Sequence, residues 1–251
     1  MLPMLIAFAA AFGLLIGSFL NVVVYRMPNG ISVVSGRSEC PDCHHQIRAY
    51  DNVPVFSWLL LRGHCRDCRA PISARYPLVE AVTAVLWALV AAVADSTVDA
   101  VLGIVLVTAL VPVTLIDLEH FRIPNKITYP AAVIALVAGL ALDPSGEPDR
   151  LIAAAAAAAF LLVPAALISG GMGLGDVKLI AVLGLCLGPP VAVALLVALV
   201  AGSVVGVVLA ARKGVQEARK TKIPFGPYIA FGGVVAIAVG QPLIDAYLKA
   251  F

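Results

Sequence analysis

Compatibility with lipid is the constraint that decides this fold. Uninterrupted apolar stretches long enough to cross a bilayer, about 17 to 25 residues each, run at about 2–24, 77–94, 98–116, 151–168, 191–211 and 226–246. Two shorter stretches, about 127–142 and 177–188, are ambiguous alone, because apolar runs of about 10 to 14 residues are often re-entrant or merely buried. Counted as spans, they bring the total to eight. Hydrocarbon offers backbone groups no partner, so a chain patterned this way satisfies its N–H and C=O groups within helices. The sequence is 61% hydrophobic and 13% charged, where a soluble domain carries about 25% charge. The expected fold class is therefore an all-α polytopic membrane protein. Its net charge of +2 is no footprint for nucleic acid, which is not expected as a partner; the lipid bilayer is.

Charge placement tests the count. Lys and Arg collect in cytoplasmic loops, and with the N-terminus outside those loops hold Arg26, Arg37, Arg48, Arg62, Arg66, Arg69, Arg75, Arg122, Lys126, Lys178, Arg212, Lys213, Arg219, Lys220 and Lys222. That is 15 of the 17 basic residues, leaving Arg150 and Lys249 outside with Asp95, Asp99, Asp143, Glu147 and Asp149. Omitting either short span puts a later basic cluster on the wrong side, so eight helices are expected. Residues 2–24 lack a basic n-region, exceed a signal peptide's apolar length and are followed by Arg26, which reads as a retained helix. The expected organisation is transmembrane helix 1 at 1–25, a polar insert at 26–76 and a seven-helix membrane core at 77–251, with no internal repeat.

The insert contains "CPDC" at 40–43 and "CRDC" at 65–68. Paired C-x-x-C knuckles deliver four thiolates to one tetrahedral ion, and a closed four-sulfur shell has no open position for water, so a zinc here would be structural. The alternatives are two disulfides or four unrelated thiols. The topology places Cys40, Cys43, Cys65 and Cys68 in the reducing cytosol, where disulfides rarely persist, and favours zinc. An insert this short can hardly build its own core, so the metal would supply much of its folding energy. His44, His45 and His64 sit beside the knuckles without being needed as ligands, and Cys186 reads as a small core residue.

Carboxylates at the membrane boundary are expensive and usually functional. Asp117 falls at the inner end of one helix, in "LIDLEHFRIPN", and Asp176 at the inner start of another, in "GMGLGDVKL". The two therefore lie at one depth on one face. Two carboxylates about 3 Å apart cannot both ionise; one can polarise a carbonyl while the other deprotonates water. Gly170, Gly171, Gly173 and Gly175 would permit positive φ and close approach by a substrate backbone. Spacing alone leaves other readings open: Asp176 as an N-cap, Asp117 paired with Arg122 or Lys178, or a metal held by Asp117, His120 and Asp176. Helix polarity favours the anion at Asp176 and disfavours it at Asp117, which makes Asp176 the expected base and Asp117 the expected protonated partner. Glu119 should point away from Asp117, and Glu80 lies at the inner start of its helix. A proton-coupled carrier and a zinc-bearing assembly scaffold remain rival classes.

"GSFLNVVVYRMP" at 17–28, "YDNVPVFSWLLLRGHCRDC" at 50–68, "APISARYPLVE" at 70–80, "IDLEHFRIPNKIT" at 116–128, "GMGLGDVKL" at 171–179 and "IPFGPYIAFGG" at 223–233 together resemble, in order, the blocks of bacterial type IV prepilin leader peptidases, the bifunctional peptidase and N-methyltransferase family with a G-x-G-D aspartic centre. The resemblance implies an aspartic peptidase of the bacterial cytoplasmic (inner) membrane. Such an enzyme cuts basic leaders from type IV prepilins and pseudopilins, including those of type II secretion, at the cytoplasmic face. It implies Asp117 and Asp176 as catalytic residues and Cys40, Cys43, Cys65 and Cys68 as the tetracysteine metal site. S-adenosylmethionine follows as methyl donor, with no residue assigned to hold it. Gly173, Gly175, Glu80 and Lys178 are the expected substrate-loop residues, with Glu80 or Glu119 attracting the basic leader. One departure stands out: Arg69 follows Cys68 where family members often carry Gly.

Overall fold

The computed structural model describes residues 2–167, 173–218 and 221–250. Of the positions singled out above, Gly170, Gly171, Arg219 and Lys220 lie outside the described residues. The described chain is helical: α1 (Leu2–Arg26), a short 3-10 helix (Ala49–Asn52), α2 (Phe56–Leu60), α3 (Arg75–Val93), α4 (Thr97–His120), α5 (Asn125–Leu142), α6 (Glu147–Leu167), α7 (Leu174–Leu187), α8 (Val191–Lys213), α9 (Val215–Ala218) and α10 (Gly226–Ala250).

All eight apolar stretches are helices. Seven, namely α1, α3, α4, α5, α6, α8 and α10, are long and apolar enough to cross a membrane. The eighth, α7, has 14 residues, a rise of about 21 Å against a hydrocarbon core of about 30 Å. It is a core helix, packed among α4, α5, α6 and α10, with Leu179, Ile180 and Leu183 fully enclosed. Sheathed by protein, its ends need no match to the lipid. Proline lies inside α4, α5, α6 and α10, at Pro112, Pro130, Pro164 and Pro242, which neighbouring helices make tolerable in a membrane.

The chain divides into two compact units, Met1–Ala92 and Val93–Phe251. In the first, α1 meets α3 through Gly13 and Gly17, a G-x-x-x-G spacing that lets backbones touch. A Cβ at Gly13 would stand 2.7 Å from Ala84 Cα, and one at Gly17 2.7 Å from Glu80 Cα. Asn21 Nδ2 donates to the Tyr76 carbonyl at 3.1 Å across the same contact. Buried Glu80 accepts the Val55 N–H at 2.7 Å, and Val55 is held at φ 62°, a conformation β-branched residues avoid. Glu80 thus anchors the strained turn that enters α2.

In the second unit Leu102, Leu106 and Leu110 of α4, Leu161 of α6, Leu179, Ile180 and Leu183 of α7 and Ile229 of α10 build one core. The α5–α6 turn is fastened by Arg150, which donates to Asp143 Oδ2 at 2.7 Å and Glu147 Oε2 at 3.2 Å.

Candidate active site and tetracysteine cluster

Both aspartates fall in the second unit, at the ends of helices that this core brings together. Asp117 lies in the last turn of α4, which stops where Phe121 turns left-handed at φ 52° and its N–H donates to the Asp117 carbonyl at 2.9 Å. Asp176 lies in the first turn of α7. Both are buried, 5% and 8% exposed, on helices that pack against one another. Asp117 Oδ2 accepts the Gly226 N–H at 2.9 Å, and Asp176 Oδ2 accepts the Gly173 N–H at 3.1 Å. Their remaining oxygens carry no hydrogen bond among the described residues, an arrangement open to water and a peptide carbonyl.

Several expectations change here. Asp176 is not the N-cap of its helix: Gly173 is, and Asp176, three residues on, reaches back to the Gly173 N–H while donating its own N–H to the Gly173 carbonyl at 3.1 Å. Capping and pairing are therefore compatible, one oxygen for each. Gly173 has φ −83° and Gly175 is helical, so neither uses the positive φ that glycine permits. Gly175 instead admits Ile123, whose Cβ would lie 3.0 Å from an added Cβ. Lys178 is no partner of Asp117: its Nζ donates to Asn125 Oδ1 at 3.2 Å and sits 5.3 Å from the Tyr129 ring centroid, tying α7 to the start of α5. His120 is exposed and lies 3.9 Å from Glu119. Asp117, His120 and Asp176 do not form a metal cluster among the described residues. Glu80, committed to the Val55 N–H, is a buried fastening rather than a surface for a basic leader.

The helix-end argument that separates the two roles is weakened as well. Asp117 ends α4, but it faces the first N–H of α10, a donor that the helix itself leaves unsatisfied. A positive helix end thus meets each carboxylate, and polarity separates them by less than α4 and α7 alone suggest. Gly226 lies within "IPFGPYIAFGG". Only that block pointed to it, since 109 residues separate it from Asp117.

The four cysteine sulfurs lie within 4.8 Å of one another, the only such group of possible metal ligands among the described residues. Zinc–thiolate bonds of about 2.3 Å in a tetrahedron put sulfurs roughly 3.8 Å apart, and Cys40 Sγ and Cys68 Sγ stand at 3.8 Å. The donor set and spacing fit a metal ion. None of the histidines joins it: His64 Nδ1 bonds the Arg62 carbonyl at 2.7 Å and His44 lies 3.9 Å from Glu39. The two knuckles, expected as a pair, share one backbone design. Cys40 N–H meets the His45 carbonyl at 3.0 Å and His44 N–H the Cys40 carbonyl at 2.9 Å; Cys65 N–H meets the Ala70 carbonyl at 2.8 Å and Arg69 N–H the Cys65 carbonyl at 3.1 Å. The residue after each second cysteine is left-handed, His44 at φ 57° and Arg69 at φ 63°. N–H groups of Cys68 and Asp67 bring the Cys65 thiol down to about 7, while burial and the neighbouring thiols push Cys68 up to about 12. Arg66 fastens the second knuckle to the 3-10 helix, giving Asp51 two bonds of 2.8 and 2.5 Å and holding its carboxyl below the usual range.

Helices, seven of them long and apolar enough to cross a membrane, bring two buried aspartates together at helix ends, the arrangement that a membrane-embedded enzyme of the aspartic class would need. Residues 11–94 match the family model "Bacterial Peptidase A24 N-terminal domain", and residues 104–211 match the "Type IV leader peptidase family". Relatives named prepilin leader peptidase/N-methyltransferase include those of Aeromonas hydrophila, 36% identical over 96% of this chain and 92% of the relative, and Burkholderia pseudomallei strain 1026b, 37% over 95% and 87%. Another, from Pseudomonas aeruginosa, is 33% identical over 94% and 91%. No solved structure matches the chain. The chain belongs to the type IV leader peptidase family.

Proposed function

We propose that this chain is the aspartic endopeptidase that removes the leader from prepilins and pseudopilins and methylates the new N-terminus, with Asp117 and Asp176 as the catalytic pair. The observation that carries the reading is the matched geometry of two buried carboxylates, each with one oxygen held by a glycine N–H. One carboxylate, ionised, takes a proton from water, whose oxygen bonds to the scissile carbonyl carbon; the other, protonated, gives its proton to the carbonyl oxygen. When the tetrahedral intermediate collapses, the C–N bond breaks and the leaving amine takes a proton. The titration belongs to the pair.

The distribution of basic residues supports an orientation in the bacterial cytoplasmic membrane with the N-terminus outside and the cysteine insert in the cytosol. Cys40, Cys43, Cys65 and Cys68 would hold a zinc ion whose work is structural: it closes the insert's fold. The groove of about 410 Å³ beside α8 is lined by Leu199, Val200, Ser203, Val204, Val207 and Val208, aliphatic but for one hydroxyl and without the charged groups that the carboxylate and ammonium of S-adenosylmethionine need. No residue is assigned to the methyl donor, and no step is routed through it.

The test is mass analysis of a prepilin incubated with purified protein in detergent, with and without S-adenosylmethionine. Loss of the leader reports cleavage, and one added methyl reports transfer. Asp117→Asn and Asp176→Asn should each retain metal and fold while leaving the prepilin intact. Cleavage by either variant at the wild-type rate would overturn the pair.

A further inference from the structure

We infer that Gly226 is a positioning residue for catalysis, and that the Pro224-Phe225-Gly226-Pro227 entry to α10 is a third wall of the active site. The inference rests on the aspartate pair proposed above and adds a component that lies in neither aspartate's helix.

The first turn of α10 has donors with no partner inside the helix. Phe225 O already accepts from Tyr228 and Ile229 at 3.0 and 3.1 Å, so the turn is formed, and the Gly226 N–H points out of it to Asp117 Oδ2 in a buried bond of 2.9 Å. A charge-assisted bond of this kind fixes the rotation of the carboxylate and directs its other oxygen. Only glycine permits it. A Cβ at residue 226 would lie 2.7 Å from Asp117 Oδ2, 3.2 Å from its carboxyl carbon and 3.3 Å from its Cβ, so any other side chain pushes the carboxylate away. Asp176 is treated similarly, by the Gly173 N–H at 3.1 Å, though there an added Cβ would find ordinary contact at 3.4 Å. The two aspartates thus share one device, and the Asp117 copy is the sterically exacting one.

The consequence is kinetic. Displacing one member of a preorganised pair by a fraction of an ångström lowers the chemical step more than substrate binding. Gly226→Ala should therefore reduce kcat for prepilin cleavage by roughly 10- to 100-fold with KM within about twofold of wild type, while Gly173→Ala has the smaller effect. A folded Gly226→Ala enzyme with wild-type kcat, or one altered in KM alone, overturns the inference.

A second measurement keeps the claim testable even where Gly226→Ala does not fold, and it needs no catalysis. Labelling phenylalanine carbonyls with carbon-13 and glycine nitrogens with nitrogen-15 selects the Phe-Gly pairs, which occur at Phe12-Gly13, Phe225-Gly226 and Phe231-Gly232. In the full-length protein in detergent, Asp117→Ala should shift one of these three amide protons upfield as its acceptor vanishes, with the other two unmoved. If none moves, or all move alike, the Gly226 bond to Asp117 is refuted. Cleavage that survives loss of either aspartate fails the proposed function instead, so the two failures are distinguishable.

Discussion

Replacing Arg69 with glycine should tighten the tetracysteine cluster. Arg69 follows Cys68 and is held at φ 63°, where an L-residue is disfavoured by about 1–2 kcal/mol relative to ordinary backbone. Glycine escapes that strain but gives the unfolded chain more freedom, which offsets about 0.4–1 kcal/mol. Its exposed side chain has no hydrogen bond or ion pair among the described residues, and its N–H bond to the Cys65 carbonyl at 3.1 Å is made by backbone. The net gain is roughly 0.5–1 kcal/mol. Because metal binding and folding of such an insert are one free energy, that corresponds to about 2- to 5-fold in zinc affinity. Competition between the purified protein and a chromogenic chelator reads this directly. Arg69→Ala is the control, since alanine loses the same side chain and keeps the left-handed strain. If glycine and alanine release zinc equally, the backbone argument is wrong.

Two further outcomes follow from the first unit. Gly17→Ala adds a Cβ 2.7 Å from Glu80 Cα, a backbone atom that cannot swing away, so α1 and α3 should part at a cost of about 1–3 kcal/mol; resistance to unfolding in mixed detergent micelles measures it, and an unchanged midpoint argues against this contact. Arg66 holds Asp51 below the usual carboxylate range, so the folded state binds fewer protons there than the unfolded chain does. The pair's contribution is present at neutral pH and is lost only as the pH falls through that lowered value. In a carbon-13 titration of the Asp51 carboxyl, Arg66→Gln should move the midpoint upward, and an unmoved midpoint denies the pairing.

What the sequence disclosed depended on how local each cause is. Lipid permits only internally bonded backbone, so eight apolar stretches could be read as eight helices, and even the doubtful 177–188 proved helical as Leu174–Leu187. The C-x-x-C pairs were equally plain, because four thiols in one short insert announce a cluster whose sulfurs do converge. The G-x-x-x-G at Gly13 and Gly17 is visible in the chain, yet its spacing does not say which helix it receives. Arg69 by itself gives no hint of its left-handed φ, which the knuckle's hydrogen bonds impose against the residue's own preference; the one signal was the glycine that the resembled family often places there. Lys178, which charge counting used only to mark a side of the membrane, owes its place to Asn125 and Tyr129, more than 48 positions away in sequence. Long-range partners leave no periodic signal.

The aspartates show most clearly why such partners matter. Judged from its own helix, each carboxylate feels an end effect of about 0.3–1 kcal/mol, opposite in sign at α4 and α7, and the two differ enough to suggest fixed acid and base roles. The packing of α10 supplies the missing third helix end. Its first N–H bonds Asp117 at 2.9 Å, and a bond to a charged group contributes about 1.5–3 kcal/mol, as much as or more than the unfavourable end of α4 takes away. Asp176 has its own such bond, from the Gly173 N–H at 3.1 Å, so the two bonds offset each other and the pair is left within about 1 kcal/mol of balance, on the side of an ionised Asp176; the proton's resting place then depends on the water and carbonyl that occupy the unbonded oxygens. Infrared difference spectra of Asp117→Asn and Asp176→Asn can check this: a balanced pair predicts that each substitution removes part of the protonated carboxyl band, whereas a band lost wholly in one variant and untouched in the other would restore the asymmetric assignment.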